Sequence, residues 1–143
     1  MIHYLGRRIL TRDAQGNEHG FGYDADGNLT SETDALGRTT SYTYNVLDQR
    51  TQTTFHNASN RQEEFDALSR RTQQTDQAGI STDYAYNALG RLLKVTDALA
   101  GETTFSYDEA GNKLSQTDAE DRVTDWEYDA LGRVTRRILP LGQ

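Results

Sequence analysis

A word that opens on an aromatic residue returns along the chain every 21 residues, and this period restricts the fold more than any other feature. The aromatic falls at Tyr23, Tyr44, Phe65, Tyr86, Tyr107 and Tyr128. Two positions earlier stand Phe21, Tyr42, Glu63, Tyr84, Phe105 and Trp126. One position later stand Asp24, Asn45, Asp66, Asn87, Asp108 and Asp129. Ten positions after the aromatic come Thr33, Thr54, Thr75, Thr96 and Thr117, followed by Asp34, Phe55, Asp76, Asp97 and Asp118. A period held in register identifies a repeat architecture, and 21 residues is too short for helical repeats of 34 or 40.

Each unit is itself double. Asp34-Ala35-Leu36-Gly37-Arg38 matches Asp129-Ala130-Leu131-Gly132-Arg133 letter for letter but occupies the other half of its unit. The words read as turns. Asp or Asn at the first position accepts hydrogen bonds from amides a few residues on. The next two residues suit a type I turn, and Gly27, Gly37, Gly90, Gly111 and Gly132 stand where a left-handed residue is wanted. Between words lie six or seven residues rich in Thr, Tyr and Val, such as Thr39-Thr40-Ser41-Tyr42-Thr43-Tyr44. These residues favour strands, and the i, i+2 spacing puts Tyr42 and Tyr44 on one face. The expected fold is therefore all-β: an antiparallel meander of about a dozen short strands, on the order of 60 Å long and ~20 Å wide, forming a twisted, curved sheet. The whole chain, 1–143, reads as a single domain of about six repeats. Position 55 is the one gap in the series of turn-opening Asp or Asn, and Asp48 and Ser69 replace the turn glycine, so residues 44–71 are expected to bend differently or fray.

Composition narrows the function. The chain is acidic, with net charge −7, which opposes binding along nucleic-acid phosphates. It has no cysteine, hence no disulfide framework and no thiolate metal site. No apolar run approaches a membrane span, and the first ten residues lack the apolar core of a signal peptide. Mean hydropathy is −0.84, yet 13 aromatic residues and a single proline oppose disorder. Apolar residues are too few for two tightly packed faces. The aromatic ladder Phe21, Tyr23, Tyr42, Tyr44, Phe65, Tyr84, Tyr86, Phe105, Tyr107, Trp126 and Tyr128 is expected to supply much of the cohesion.

The same repetition weighs against chemistry. Twenty-two carboxylates make close pairs inevitable, but a catalytic pair needs one differentiated environment, whereas every turn needs a cap. Asp24-Ala25-Asp26-Gly27-Asn28 looks like a calcium loop only superficially, because its glycine comes two residues too early and no helices flank it. His3, His19 and His56 share no repeat position and read as surface residues. Asn28-Leu29-Thr30 and Asn57-Ala58-Ser59 fit glycosylation triplets that arise by chance in such a composition. Arg38, Arg70, Arg91 and Arg133, each after a turn glycine or its substitute, are expected to pair with their own turn aspartates. No catalytic residue, metal site or cofactor is expected.

Tyr-Asp-x-x-Gly-Arg-Leu together with Thr-Asp-x-x-Gly at a period near 21 resembles the YD repeat of Rhs (rearrangement hot spot) proteins, from a truncated unit at Leu5-Gly6-Arg7-Arg8-Ile9 to the word at 128–134. The family includes bacterial Rhs toxins, the B and C components of insecticidal Tc complexes, and the teneurins. The resemblance implies a β-sheet that spirals into a hollow shell around a toxic C-terminal domain, often exported by type VI secretion. It also implies a non-enzymatic role as one segment of such a shell, secreted without a cleaved signal peptide or cytoplasmic before export. Six repeats are too few to close a shell, and the chain shows neither a core protease motif nor a toxin, so it reads as a shell fragment or a truncated copy. The expected partners are the rest of an Rhs protein, a toxin cargo, and further copies paired through open sheet edges. The alternative reading is a carbohydrate-binding module that uses the aromatic stripe.

Overall fold

The computed structural model describes residues 2–4 and 6–140, with side chains from residue 6 onward. The side chain of His3, Leu5 of the truncated first word, and the final Leu141-Gly142-Gln143 lie outside the described residues. Among the described residues the chain forms fourteen strands and no helix.

Two compact units divide the chain; one runs to Glu64 and adds Thr75–Gly79, the other takes Phe65–Gln74 and continues from Ile80. The first contains β1 (Ile2–Tyr4), β2 (Arg7–Arg12), β3 (Glu18–Tyr23), β4 (Leu29–Thr33), β5 (Thr39–Tyr44), β6 (Arg50–Thr54) and most of β7 (Asn60–Phe65). The second contains most of β8 (Arg71–Thr75), then β9 (Ser81–Tyr86), β10 (Leu92–Thr96), β11 (Glu102–Tyr107), β12 (Lys113–Thr117), β13 (Val123–Tyr128) and β14 (Val134–Ile138). In each unit strand order is chain order, the antiparallel meander expected from turns at steps of 10 and 11. The count exceeds a dozen because position 55 makes a turn after all, and a row of turns bounds one more strand than it has members.

The turns share one hydrogen-bond pattern. The Asp34 amide donates to the Arg38 carbonyl at 3.0 Å, and the Gly37 amide donates to the Asp34 carbonyl at 2.9 Å. The fourth residue is left-handed, as at Gly37 (φ 77°) and Gly90 (φ 80°), giving a type I turn closed by a bulge. Where glycine is absent the geometry persists: Asp48, Ala58, Ser69, Ala100 and Asp121 all have φ between 58° and 65°. The expectation that residues 44–71 fray is therefore corrected. Phe55 donates to the Ser59 carbonyl at 2.9 Å and Ala58 donates to the Phe55 carbonyl at 2.9 Å, so the same turn closes without a capping aspartate. At Asp48, Ala58, Ala100 and Asp121 the paired strands on both flanks hold the residue in a conformation that costs an L-residue about 1–2 kcal/mol.

The two kinds of turn lead into differently registered pairings. After Thr33 the pairing runs unbroken, Thr33 with Thr39 and Glu32 with Thr40. After Tyr23 it skips: Tyr23 pairs with Leu29 but Gly22 pairs with Ser31, so Thr30 is an extra residue. The same skip makes Thr51, Leu93, Leu114 and Thr135 extra. A bulge of this kind keeps each side chain on its face after an odd loop. The faces are distinct in consequence. Tyr42 and Tyr44 are half-buried while Ser41 and Thr43, which alternate with them, are exposed, and β9 and β11 repeat the pattern. No side chain among the described residues is fully buried, so the sheet has one partly covered face and no enclosed core.

Candidate functional site

The repeated word is the one constellation the sequence offers, and its side chains serve the wall itself. In each Asp-headed turn one carboxylate oxygen caps backbone amides: Asp34 Oδ1 accepts from Leu36 and Arg38, both at 2.9 Å. Where the residue four positions on has a donor, the other oxygen takes its side chain. Arg38, Arg70, Arg122 and Arg133 donate Nε to Asp34, Asp66, Asp118 and Asp129 at 2.6–2.8 Å. Asn17 and Asn112 do the same for Asp13 and Asp108 at 2.7 Å. In Asp24-Ala25-Asp26-Gly27-Asn28 the Asp24 carboxylate is occupied by the Gly27 and Asn28 amides and the Asn28 side chain, which is a cap and not a calcium loop.

These contacts set the titration of the turns. The side-chain bond from Arg38 is the largest cause holding Asp34 below its ordinary 3.8, and the bond from Arg122 does the same for Asp118. Asn17 and Asn112 lower Asp13 and Asp108, and the Arg70 and Arg133 amides lead in lowering Asp66 and Asp129. At Asp24 partial burial opposes the shift most strongly, but the Asn28 and Gly27 bonds together outweigh it. The carboxylates are held ionised by their own turns, the opposite of a raised general acid.

Sequence reasoning missed a second set of contacts that joins one word to the next. Tyr44, Tyr86 and Tyr128 donate their hydroxyls to the carbonyls of Leu29, Arg71 and Lys113, each fifteen residues back, at 2.8–3.0 Å. The residue after the turn glycine reaches forward. Arg7 donates to the Asp24 carbonyl at 3.0 Å and lies 5.8 Å from the Tyr23 ring centre. Arg70 donates to the Asn87 carbonyl at 2.9 Å over Tyr86, and Arg91 reaches the Asp108 and Glu109 carbonyls over Tyr107. Arg91 thus departs from the expected local pairing, because its turn is headed by the neutral Asn87. The receiving turn must be open where the guanidinium lands. A Cβ on Gly27 would meet Arg7 Nη2 at 2.9 Å, and one on Gly111 would meet Arg91 Nη2 at 3.2 Å, so those positions need glycine for both φ and space.

The predicted rings sit on alternate strands: Phe21 and Tyr23 on β3, Tyr42 and Tyr44 on β5, Phe65 on β7, Tyr84 and Tyr86 on β9, Phe105 and Tyr107 on β11, Trp126 and Tyr128 on β13. A strand without rings lies between, so ring rows are about 10 Å apart. Cations fill the interval. Lys113 Nζ is 3.7 Å from the Trp126 ring centre and 5.8 Å from Phe105, Arg137 covers Trp126, and Arg71 covers Tyr84 at 5.1 Å. The ladder is one of rings and cations.

The histidines are less scattered than their spacing suggests. His19 and His56 line one depression with Glu32, Asp34 and Arg38. Among the described residues no group of three or more histidine or carboxylate side chains is arranged to hold a metal ion. No helix of the structure is long and apolar enough to cross a membrane.

A tandem β-repeat whose words cap, clamp and stack on one another defines a wall-forming repeat protein. The RHS Repeat family model matches residues 23–55, 65–102, 86–120 and 107–143, and the chain belongs to that family. No curated protein matches the chain. Among solved structures, a crystal structure of TcdB2-TccC3-Cdc42 is similar with TM-score 0.68 and 18% identity, over 82% of this chain and 7% of that chain. TcdB2-TccC3 without its hypervariable C-terminal region gives 0.67 and 18% over the same shares. A Tc holotoxin pore from Photorhabdus luminescens gives 0.69 and 17% over 87% of this chain and 7% of that one. The likeness is one of fold, and this chain spans 7% of the length of the chains it matches.

Proposed function

We propose that the chain is a non-enzymatic segment of an Rhs-type shell that encloses or carries a toxin, with the rest of an Rhs protein as its natural partner. The observation that carries this reading is the internal use of the repeated word. Its carboxylates cap their own turns, and its guanidinium and phenol groups clamp the neighbouring turn and strand. Side chains spent in this way build a surface. Membership in the RHS Repeat family and the fold shared with Tc toxin structures support the same reading.

The native protein tests it. An antibody raised against this segment should retrieve from its source an assembly much larger than 16.1 kDa. Limited proteolysis should leave a resistant shell still holding a separate polypeptide. Recovery of a free 16.1 kDa chain with no associated polypeptide would oppose the proposal.

The isolated chain has a further expected behaviour. β14 pairs with β13 on one side and with no other strand among the described residues, and its Val134 is exposed. An open strand edge pairs with other chains, so light scattering should show association that grows with concentration. A strictly monomeric species at high concentration would count against it.

A further inference from the structure

Three departures from the repeat on the first unit meet in one depression. Phe55 stands where the other turns carry Asp13, Asp34, Asp76, Asp97 and Asp118. Arg61 stands where other ring strands carry Thr40, Thr82, Thr103 and Thr124. Glu63 stands where they carry Phe21, Tyr42, Tyr84, Phe105 and Trp126. A depression of about 300 Å³ is lined by Phe55, Arg61 and Glu63 together with Tyr42, Arg50 and Thr53.

The missing ring defines the shape of that hollow. Elsewhere the cation at the start of a spacer strand covers the ring of the following ring strand, as Arg71 covers Tyr84 at 5.1 Å and Lys113 covers Trp126 at 3.7 Å. Arg50 occupies the same repeat position, but the ring it would cover is Glu63. Arg50 turns back instead and lies 5.2 Å from the Tyr42 ring centre. Glu63 pairs with Arg61 at 2.6 Å at the edge of the same depression. What remains is a ring-sized slot with aromatic walls at Tyr42 and Phe55 and hydroxyls at its rim.

We propose that this slot binds a small aromatic carboxylate, its ring taking the place of the absent ladder ring and its carboxylate accepting from the Arg50 guanidinium. Aromatic walls and a planar cation are the complement of such a molecule. The volume is at the lower end of small-molecule sites, which restricts the ligand to a single ring with a short acidic arm.

The test uses the full chain with 4-hydroxyphenylacetate as probe and 4-hydroxyphenylacetamide as its neutral counterpart, read by saturation-transfer NMR and calorimetry. Wild type should bind the carboxylate saturably and prefer it to the amide. Arg50→Gln should weaken the carboxylate about tenfold and erase the preference. Glu63→Tyr should refill the slot, abolish binding and leave the protein folded. Absence of saturable binding to wild type, or an unchanged preference in Arg50→Gln, would overturn the proposal, as would undiminished binding to folded Glu63→Tyr. Should Glu63→Tyr fail to fold, the Arg50→Gln comparison decides alone.

Discussion

The Tyr86 hydroxyl donates to the backbone carbonyl of Arg71 at 3.0 Å, across the turn that Asp76 opens. The same bond joins Tyr128 to Lys113 and Tyr44 to Leu29, so the phenol ties a word to the strand that comes after the previous word. Removing the hydroxyl leaves a half-buried carbonyl without its donor while the ring still packs. Tyr128→Phe should therefore lower the free energy of unfolding by about 1 kcal/mol, read from urea denaturation. An unchanged midpoint would show that the phenol is used only as a ring.

The glycine-free turns carry strain that can be relieved. Ala58 and Ala100 hold φ of 64° and 63°. Ala58→Gly and Ala100→Gly should each stabilise the chain by about 0.5–1 kcal/mol, the left-handed cost less the added chain entropy of glycine. The reverse change is Gly37→Ala, where no atom lies within 4 Å of the new Cβ, so only the backbone term acts. It should destabilise by a similar amount. Melting temperatures of the three variants give the comparison.

Arginines at one repeat position should differ in worth. Arg91 reaches two carbonyls of the next turn and covers Tyr107, and Arg91→Gln should cost about 1 kcal/mol with little dependence on salt. Arg133 is 74% exposed and pairs with Asp129 inside its own turn. Arg133→Gln should change stability by less than about 0.5 kcal/mol, and less still in high salt. Urea titrations at two ionic strengths separate the two.

Acid should unfold the chain through its turns. Asp13, Asp24, Asp34, Asp66, Asp108, Asp118 and Asp129 all titrate below 3.8 in the folded state. A lowered carboxyl binds fewer protons folded than unfolded, so its contribution is complete above the unfolded value and is lost as pH falls through the folded one. The urea midpoint should hold from neutrality down to about pH 4 and drop steadily below it. A midpoint that rises on acidification would contradict the turn contacts.

Much of this structure is legible in the sequence because its interactions are local. A turn aspartate caps amides two and four residues away, and the pattern Asp-x-x-Gly-Arg states the whole arrangement. Strand faces follow from Tyr42 and Tyr44 by alternation alone. What stays hidden needs register. The reach of Arg91 to Asp108, or of Tyr86 to Arg71, depends on the extra residue after each Tyr-headed turn, and nothing in Leu93 or Thr30 announces a bulge. The left-handed conformation at Ala58, Ala100 and Asp121 is hidden for another reason: it is imposed by the ladders on either side, against the preference of the residue itself. Cations between rings are likewise invisible until the spacer strand is placed.

The central claim is that the 21-residue unit is the building block and that the word between units is a joint. Excising residues 108–128 joins Tyr107 directly to Asp129 and restores an intact Tyr-Asp word. If units are interchangeable, the shortened chain folds cooperatively, keeps its strand circular dichroism, and shows a urea m-value smaller by about one seventh, in proportion to the 21 of 143 residues removed. Loss of cooperative unfolding in that chain would mean the repeat is only a pattern in the sequence and not the unit from which the sheet is built.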